Sequence, residues 1–278
     1  SSASAVVRVG AKPVFVEVDS AYYTIDPVDA QAKITPGTKA IMPVHLYGLA
    51  ADMPAIMEFA RRNKLKVIED CAQAPLALVD GQQVGTFGDV GIFSFYPSKN
   101  LGAYGDGGAI TTNDETLSER LKLLGRMGTN HKHMHEAIGR NSRLDTIQAA
   151  MLSVKLAYIS EWTAKRRRVA RLYNNAFADA RLITPKVPNG SKHVYHNYVV
   201  QVEERDEMQR FLAANDITTQ VHYPKALSEL DIFPDNEPCP STQKMTTQML
   251  SLPMYPELTD AQITKVIEYV KKFTSGNA

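Results

Sequence analysis

Cysteine is scarce: Cys71 and Cys239 are the only two in 278 residues. They are too few and too far apart for a disulfide framework or a Cys-based zinc site. Long apolar runs are missing, and none approaches the roughly 20 residues that span a bilayer. The N-terminus is small and polar rather than basic and then apolar, so no secretory signal is visible and a cytoplasmic protein is expected. Charge of one sign is lacking too, with Lys and Arg numbering 31 against 30 Asp and Glu. That balance argues against a nucleic-acid footprint or a membrane-surface patch. There is no glycine-rich dinucleotide fingerprint and no phosphate-loop Gly-Lys-Ser/Thr, which disfavours an oxidoreductase or a nucleotide hydrolase. Internal repeats and low-complexity tracts are absent. What is present is enough chain for a large core, with 44% hydrophobic residues, in one large or two modest domains.

In chain order, Ser1 to Val9 reads as the end of a helix closed by Gly10, followed by a strand from Val14 to Val18. Ile25-Asp26-Pro27 opens a short helix, and Lys39 to Val44 reads as a buried strand ending at His45-Leu46-Tyr47-Gly48. Asp52 is a fitting N-cap for a helix with Met53, Ile56, Met57 and Ala60 on one face. The strand Lys66 to Glu69 follows, giving a βαβ order and hence a mainly parallel sheet covered by helices. Val90 to Phe93 is another buried strand, and Ala109 to Thr112 another, with a helix from Glu115 to Gly125 behind it. Asn141 to Asp145 opens a long helix with Leu144, Ile147, Met151, Val154, Tyr158 and Trp162 on one apolar face. The domain change falls along it, giving a large domain over 1–155 and a small α+β domain over 156–278. The small domain holds a strand over His196 to Val202, a helix from about Asp206, and a closing helix opened by the capping box Thr259-Asp260-Ala261-Gln262.

In an open α/β sheet, ligands sit at the carboxyl ends of strands. Three such ends deliver His45, Asp70 and Ser94, with Lys99 just beyond. Pro97 stops strand pairing, and Gly102, Gly105, Gly107 and Gly108 let the chain turn tightly around Lys99. An enclosed lysine loses its proton readily and attacks carbonyls, the entry to Schiff-base chemistry, whereas a lone lysine in such a turn is usually a surface group. His131, His133 and His135 alternate in a polar loop, but no acidic or thiol partner stands near them and no metal is expected.

The run Ser94-Phe95-Tyr96-Pro97-Ser98-Lys99-Asn100-Leu101-Gly102-Ala103-Tyr104-Gly105-Asp106-Gly107-Gly108 resembles the active-site loop of the DegT/DnrJ/EryC1/StrS sugar-nucleotide aminotransferases, which are fold-type I pyridoxal 5'-phosphate enzymes. The resemblance extends from Gly10 to about Phe273 and includes Ile68-Glu69-Asp70-Cys71-Ala72-Gln73-Ala74. It enters the family in the middle of the large domain, implying several dozen upstream residues with a Gly-Thr or Gly-Ser turn for the cofactor phosphate. By this resemblance Lys99 anchors the cofactor aldehyde and moves the proton, and Asp70 faces the pyridine nitrogen. Gln73 donates to the phenolic oxygen, and Ser94 binds the phosphate. Asn141 reaches the phosphate of a neighbouring subunit, which implies a homodimer; otherwise it is an N-cap.

His45 and Tyr47 are either substrate contacts or core residues. His196, His222 and Tyr223 resemble small-domain positions near the sugar nucleotide. Two departures stand out: Pro75-Leu76 replaces the family's His-Gly, and the segment after Pro224 lacks its second proline and histidine. The family's dehydratases carry histidine in place of the lysine, so retention of Lys99 implies transamination. The expected reaction moves an amino group, from glutamate, onto a nucleotide-linked keto sugar for amino-sugar or surface-polysaccharide (lipopolysaccharide) synthesis. The Gly-Asp-Gly-Gly ending resembles members acting at C3 more than those acting at C4. The alternative is a non-catalytic partner or regulator on the same fold.

Overall fold

The computed structural model describes residues 1–131, 134–233 and 235–276. The first half runs through α1 (Ser2–Arg8), α2 (Pro27–Ala32), β1 (Ala40–Ile41), α3 (Met53–Arg62), β2 (Lys66–Asp70), β3 (Leu78–Val79), β4 (Gln82–Gln83), β5 (Val90–Ser94), β6 (Gly108–Thr111), α4 (Glu115–Gly125), β7 (Thr129–His131) and β8 (Met134–His135). The second half comprises α5 (Thr146–Leu156), α6 (Ile159–Ala176), β9 (Ser191–Lys192), β10 (Tyr198–Gln201), α7 (Arg205–Ala214), α8 (Pro240–Thr246), β11 (Met249–Leu252) and α9 (Asp260–Thr274).

Local chemistry sets many of these boundaries. Asp26, Asp52 and Asp114 each accept a backbone N–H from the first turn of the helix they open, which satisfies a donor the helix cannot pair internally. Thr259 and Gln262 form the reciprocal box at the start of α9. α3 buries Met53, Ile56, Phe59 and Ala60, a helical spacing that lays one apolar stripe against β2 and its neighbours.

The central sheet has the order β1-β2-β5-β6. β1, β2 and β5 are parallel, and β6 returns antiparallel to β5. Asp70 lies opposite Ile92, and Val44 bridges to Asp70, so the chain segments leaving these strands emerge along one edge. This is the α/β fold expected.

Several boundaries differ from the sequence reading. Val14 to Val18 forms no strand; only Val18 bridges, to Ile25. The strand expected over 39–44 shrinks to β1 plus the bridge at Val44. The long helix is two, broken at Ala157 and Tyr158, and it starts at Thr146 with Asp145 at the N-cap. Its expected core face is on the surface: Ile147 is 66% exposed, Val154 64% and Tyr158 51%.

A second core gathers Tyr173 and Phe177 of α6, Met208 and Leu212 of α7, Val200 and Leu250 of the antiparallel pair β10–β11, and Val266 and Val270 of α9. The segment before β10 ties this unit to the first. Val194 packs with Ala50 and Cys71, and Val199 packs with Tyr23 and Tyr47. At Gly48 the backbone has φ +97°, and a Cβ would stand 2.9 Å from the His196 nitrogen. Glycine is what lets these two segments touch. Glu17 closes a longer loop, its carboxylate accepting from the backbone of Ser241 and Thr242 and from the Thr242 hydroxyl at the start of α8.

Candidate active site

Lys99 sits in the turn beyond β5, half-buried, with its backbone N–H donating to the Tyr96 carbonyl at 2.9 Å. The loop is held shut at two points. Ala103 N–H donates to the Phe95 carbonyl, and Phe95 N–H donates to the Gly107 carbonyl. Gly102 lies so close to Pro97 that a Cβ would be 2.3 Å from its carbonyl oxygen. From α5, Lys155 Nζ donates to the Gly102 carbonyl at 2.6 Å and lies over the Tyr104 ring, while Gln148 accepts the Tyr104 N–H. Burial pushes the Lys99 ammonium below the ordinary lysine range, and the nearby Asp70 carboxylate opposes that shift.

Asp70 ends β2. Its Oδ1 accepts the Ala72 N–H at 3.0 Å, and its Oδ2 accepts the Ser2 hydroxyl at 2.6 Å. Gln73 is buried: its Oε1 accepts the Tyr47 N–H at 2.6 Å, and its Nε2 donates to the Tyr223 hydroxyl at 3.2 Å. Ser94 Oγ accepts the Tyr96 N–H at 3.3 Å, which leaves the hydroxyl hydrogen to be donated elsewhere. His196 and His222 both have their proton affinity lowered by burial first, and each also by Lys99. The structure therefore brings Lys99, Asp70, His196 and His222 into one electrostatic neighbourhood, with Gln73 joined to Tyr223. His222 Nδ1 lies 2.8 Å from Ser251 Oγ, and the Tyr47 hydroxyl donates to the His222 carbonyl.

Of the two readings open for His45 and Tyr47, substrate contact or core residue, the burial of both side chains supports the core. His45 is fully buried; its Nδ1 accepts the Ala51 N–H at 3.0 Å, so the ring hydrogen is on Nε2, which donates to Glu69 at 3.1 Å. Neither ring nitrogen is left for a ligand. Tyr47 is also buried, its hydroxyl committed to the His222 carbonyl. Its backbone N–H and hydroxyl bond Gln73 and the His222 carbonyl. Asn141 does not cap the helix, which starts five residues later; it is exposed, bridges to Arg126 and accepts from Arg143.

Glu69 is the buried group the sequence did not single out. Its Oε1 accepts from Phe87 and Gly88 N–H, and its Oε2 from Gly85 N–H and His45. Burial alone would raise this carboxyl, but the hydrogen bonds outweigh it and the group is lowered. His45, Glu69 and Cys71 offer ligand atoms within 4.8 Å of one another. With four donors on Glu69, both ring nitrogens of His45 engaged and the Cys71 thiol held protonated by burial, the trio is a hydrogen-bonded clamp. In the histidine loop, His135 Nδ1 lies 3.0 Å from the Met127 carbonyl, and His133 lies outside the described residues.

Other groups missed in the sequence are Ser2, Asn100 and Arg166. Arg166 donates to the carbonyls of Tyr195, His196 and Met254, and burial lowers it to about 10. Leu76, where the family pattern has glycine, adopts φ +70°, the left-handed conformation that glycine takes without strain.

The DegT/DnrJ/EryC1/StrS aminotransferase family model matches residues 1–271. The chain is 44% identical to a pleiotropic regulatory protein of Geobacillus stearothermophilus, covering 98% of this chain and 75% of that one. It is 42% identical to the UDP-N-acetyl-3-dehydro-alpha-D-glucosamine 3-aminotransferase of Acidithiobacillus ferrooxidans, over 99% and 75% of the two chains. It is 44% identical to the dTDP-3-amino-3,6-dideoxy-alpha-D-galactopyranose transaminase of Aneurinibacillus thermoaerophilus, over 95% and 73%. The S. venezuelae DesV crystal structure superposes with a TM-score of 0.96 at 40% identity, over 98% of this chain and 75% of that one. With its α/β sheet, its lysine-bearing turn and a match over nearly its whole length, the chain belongs to the DegT/DnrJ/EryC1/StrS aminotransferase family.

Proposed function

We propose that this chain transfers an amino group from an amino acid, L-glutamate by preference, to the C3 keto group of a nucleotide-linked sugar, in the cytoplasmic synthesis of amino sugars for surface polysaccharide. The observation that carries the proposal is the pairing of Lys99, its proton affinity lowered by burial, with the Asp70 carboxylate at the exit edge of a parallel sheet. Identity above 40% to two relatives named for 3-amino sugars supports the C3 position.

The family uses pyridoxal 5'-phosphate, and the residues present fit it: an amine of lowered proton affinity, a carboxylate facing it and a serine hydroxyl with a hydrogen to give. When bound, that cofactor supplies a carbonyl to receive the amino group and a ring to hold the electron pair left by the departing proton. Lys99 would hold the cofactor and, released, carry the proton between donor and cofactor carbons. Asp70 would keep the pyridine nitrogen protonated. Gln73, its Oε1 occupied by Tyr47 and one amide hydrogen by Tyr223, would turn the other amide hydrogen toward the phenolic oxygen; Ser94 would donate to the phosphate. His196, His222 and Tyr223 would line the sugar side.

The chain acts as a homodimer in this reading, with Asn141 reaching the neighbour's cofactor. The exposed stripe Ile147, Met151 and Val154 of α5 supports that, because these residues share one helical face and apolar patches of this kind mark contact surfaces. We divide the chain into a large unit over 1–155 and a small one over 156–278. The α5–α6 break and the separate second core support that division.

The test is a visible spectrum with added pyridoxal phosphate, followed by borohydride reduction and peptide mapping, then trials with UDP- and dTDP-linked 3-keto sugars. A reducible band with its label on Lys99, and an amino sugar as product, are expected. A deoxy sugar as product would overturn transamination, and no band in the folded protein would favour the regulatory alternative.

A further inference from the structure

Asn100 follows Lys99 directly and is buried, yet the chemistry above gives it nothing to do. Its Nδ2 donates to the Val194 carbonyl at 3.3 Å, and its Oδ1 lies 3.1 Å from His196 Nδ1. The amide has one workable orientation, since turning it over would set its oxygen against the carbonyl oxygen of Val194. With Oδ1 facing the ring, an atom that only accepts, His196 Nδ1 must carry the hydrogen. Nε2 then holds a lone pair and makes no hydrogen bond among the described residues.

We propose that Asn100 is a positioning residue that fixes His196 in the Nδ1–H form, so that Nε2 stands beside Lys99 as an uncharged acceptor for a hydroxyl hydrogen of the sugar substrate. The hydroxyl contact rests on the sugar-aminotransferase reading; the tautomer does not. The groups around the ring are Lys99 from its loop, Arg166 from α6 and His222 from the segment before α8, and each opposes a charge on it, after burial itself; the ring is pushed down to about 3. Among the described residues no carboxylate acts on the ring; Asp70 acts on Lys99. A neutral acceptor suits this wall, because an imidazolium would repel the Lys99 ammonium and could only donate.

Nitrogen-15 histidine NMR of the wild-type holoenzyme reads the tautomer directly. A hydrogen on Nδ1, and a ring that stays neutral down to about pH 5, are expected. A hydrogen on Nε2, or a ring that charges above that pH, overturns the proposal whether or not any sugar is turned over. In Asn100→Asp the carboxylate supports an imidazolium. For a ring titrating near pH 7, the half-reaction with keto sugar then falls about tenfold from about pH 8 to about pH 6. The half-reaction with glutamate keeps the wild-type ratio between those pH values. Equal new dependence in both half-reactions, or in neither, overturns the sugar contact. Should the variant not fold, the wild-type tautomer still decides the role of Asn100.

Discussion

At the scale of single residues, the site is an arrangement of proton affinities. Asp70 raises the Lys99 amine against the depression that burial imposes. Asp70→Asn should therefore lower it further, and reductive methylation of Lys99 in the cofactor-free protein should reach half-rate at a lower pH than in wild type. A midpoint that rises instead would contradict the pairing. Glu69 accepts four hydrogen bonds in the interior. In Glu69→Gln an amide N–H₂ would face N–H donors, and the loss should be about 3–5 kcal/mol, read as a fall in the urea midpoint. Lys99 and Asp70 were legible because a strand end followed by a distinctive loop is a local pattern. Ser2, Asn100 and Arg166 were not, since their partners lie 68, 96 and up to 88 residues away. His45 stayed open because a histidine at a strand end reads the same whether its ring faces the site or the core.

Between residue and whole chain, the elements that present Lys99 are a turn and the helix behind it. Gly102→Ala would push a methyl against the Pro97 carbonyl at 2.3 Å, and backbone there cannot give way cheaply. The expected result is weaker cofactor binding, at least about tenfold in Kd by absorbance titration, with the fold intact by circular dichroism. On α5 the apolar stripe was legible in its period but not in its partner. Amphipathic spacing says that one face is covered and is silent on whether the cover is the same chain or another. On the homodimer proposed above, Ile147→Glu, placed on that stripe, should shift sedimentation from dimer to monomer while leaving the helix content unchanged; a wild-type monomer would overturn that proposal.

Over the whole molecule, acid should loosen the fold. His193 and His196 are both pushed down to about 3, chiefly by burial. Below the unfolded value of about 6.5 the unfolded chain takes up protons that the folded chain refuses, so stability is full above that pH and is lost as pH falls toward about 3. The two groups together should remove up to about 4 kcal/mol between pH 7 and pH 5, measurable by urea unfolding. His193→Gln should roughly halve that slope, and an unchanged slope would contradict the account. The βαβ succession and the boundaries of α3, α4 and α9 followed from periodicity and caps, because those are set within a few residues, whereas the order of strands in the sheet was not legible. The contact of residues 193–199 with the first half depended on Gly48 and could not be read locally.

Glu17 seals the start of α8 across 224 and 225 residues of chain. A helix that borrows its cap from so distant a segment cannot be finished until the two have met, so the later segment depends on the docking of the earlier one. The amides of Ser241 and Thr242 thereby become reporters of that reunion: their hydrogen exchange should slow only when Glu17 is in place, and should quicken together in Glu17→Ala.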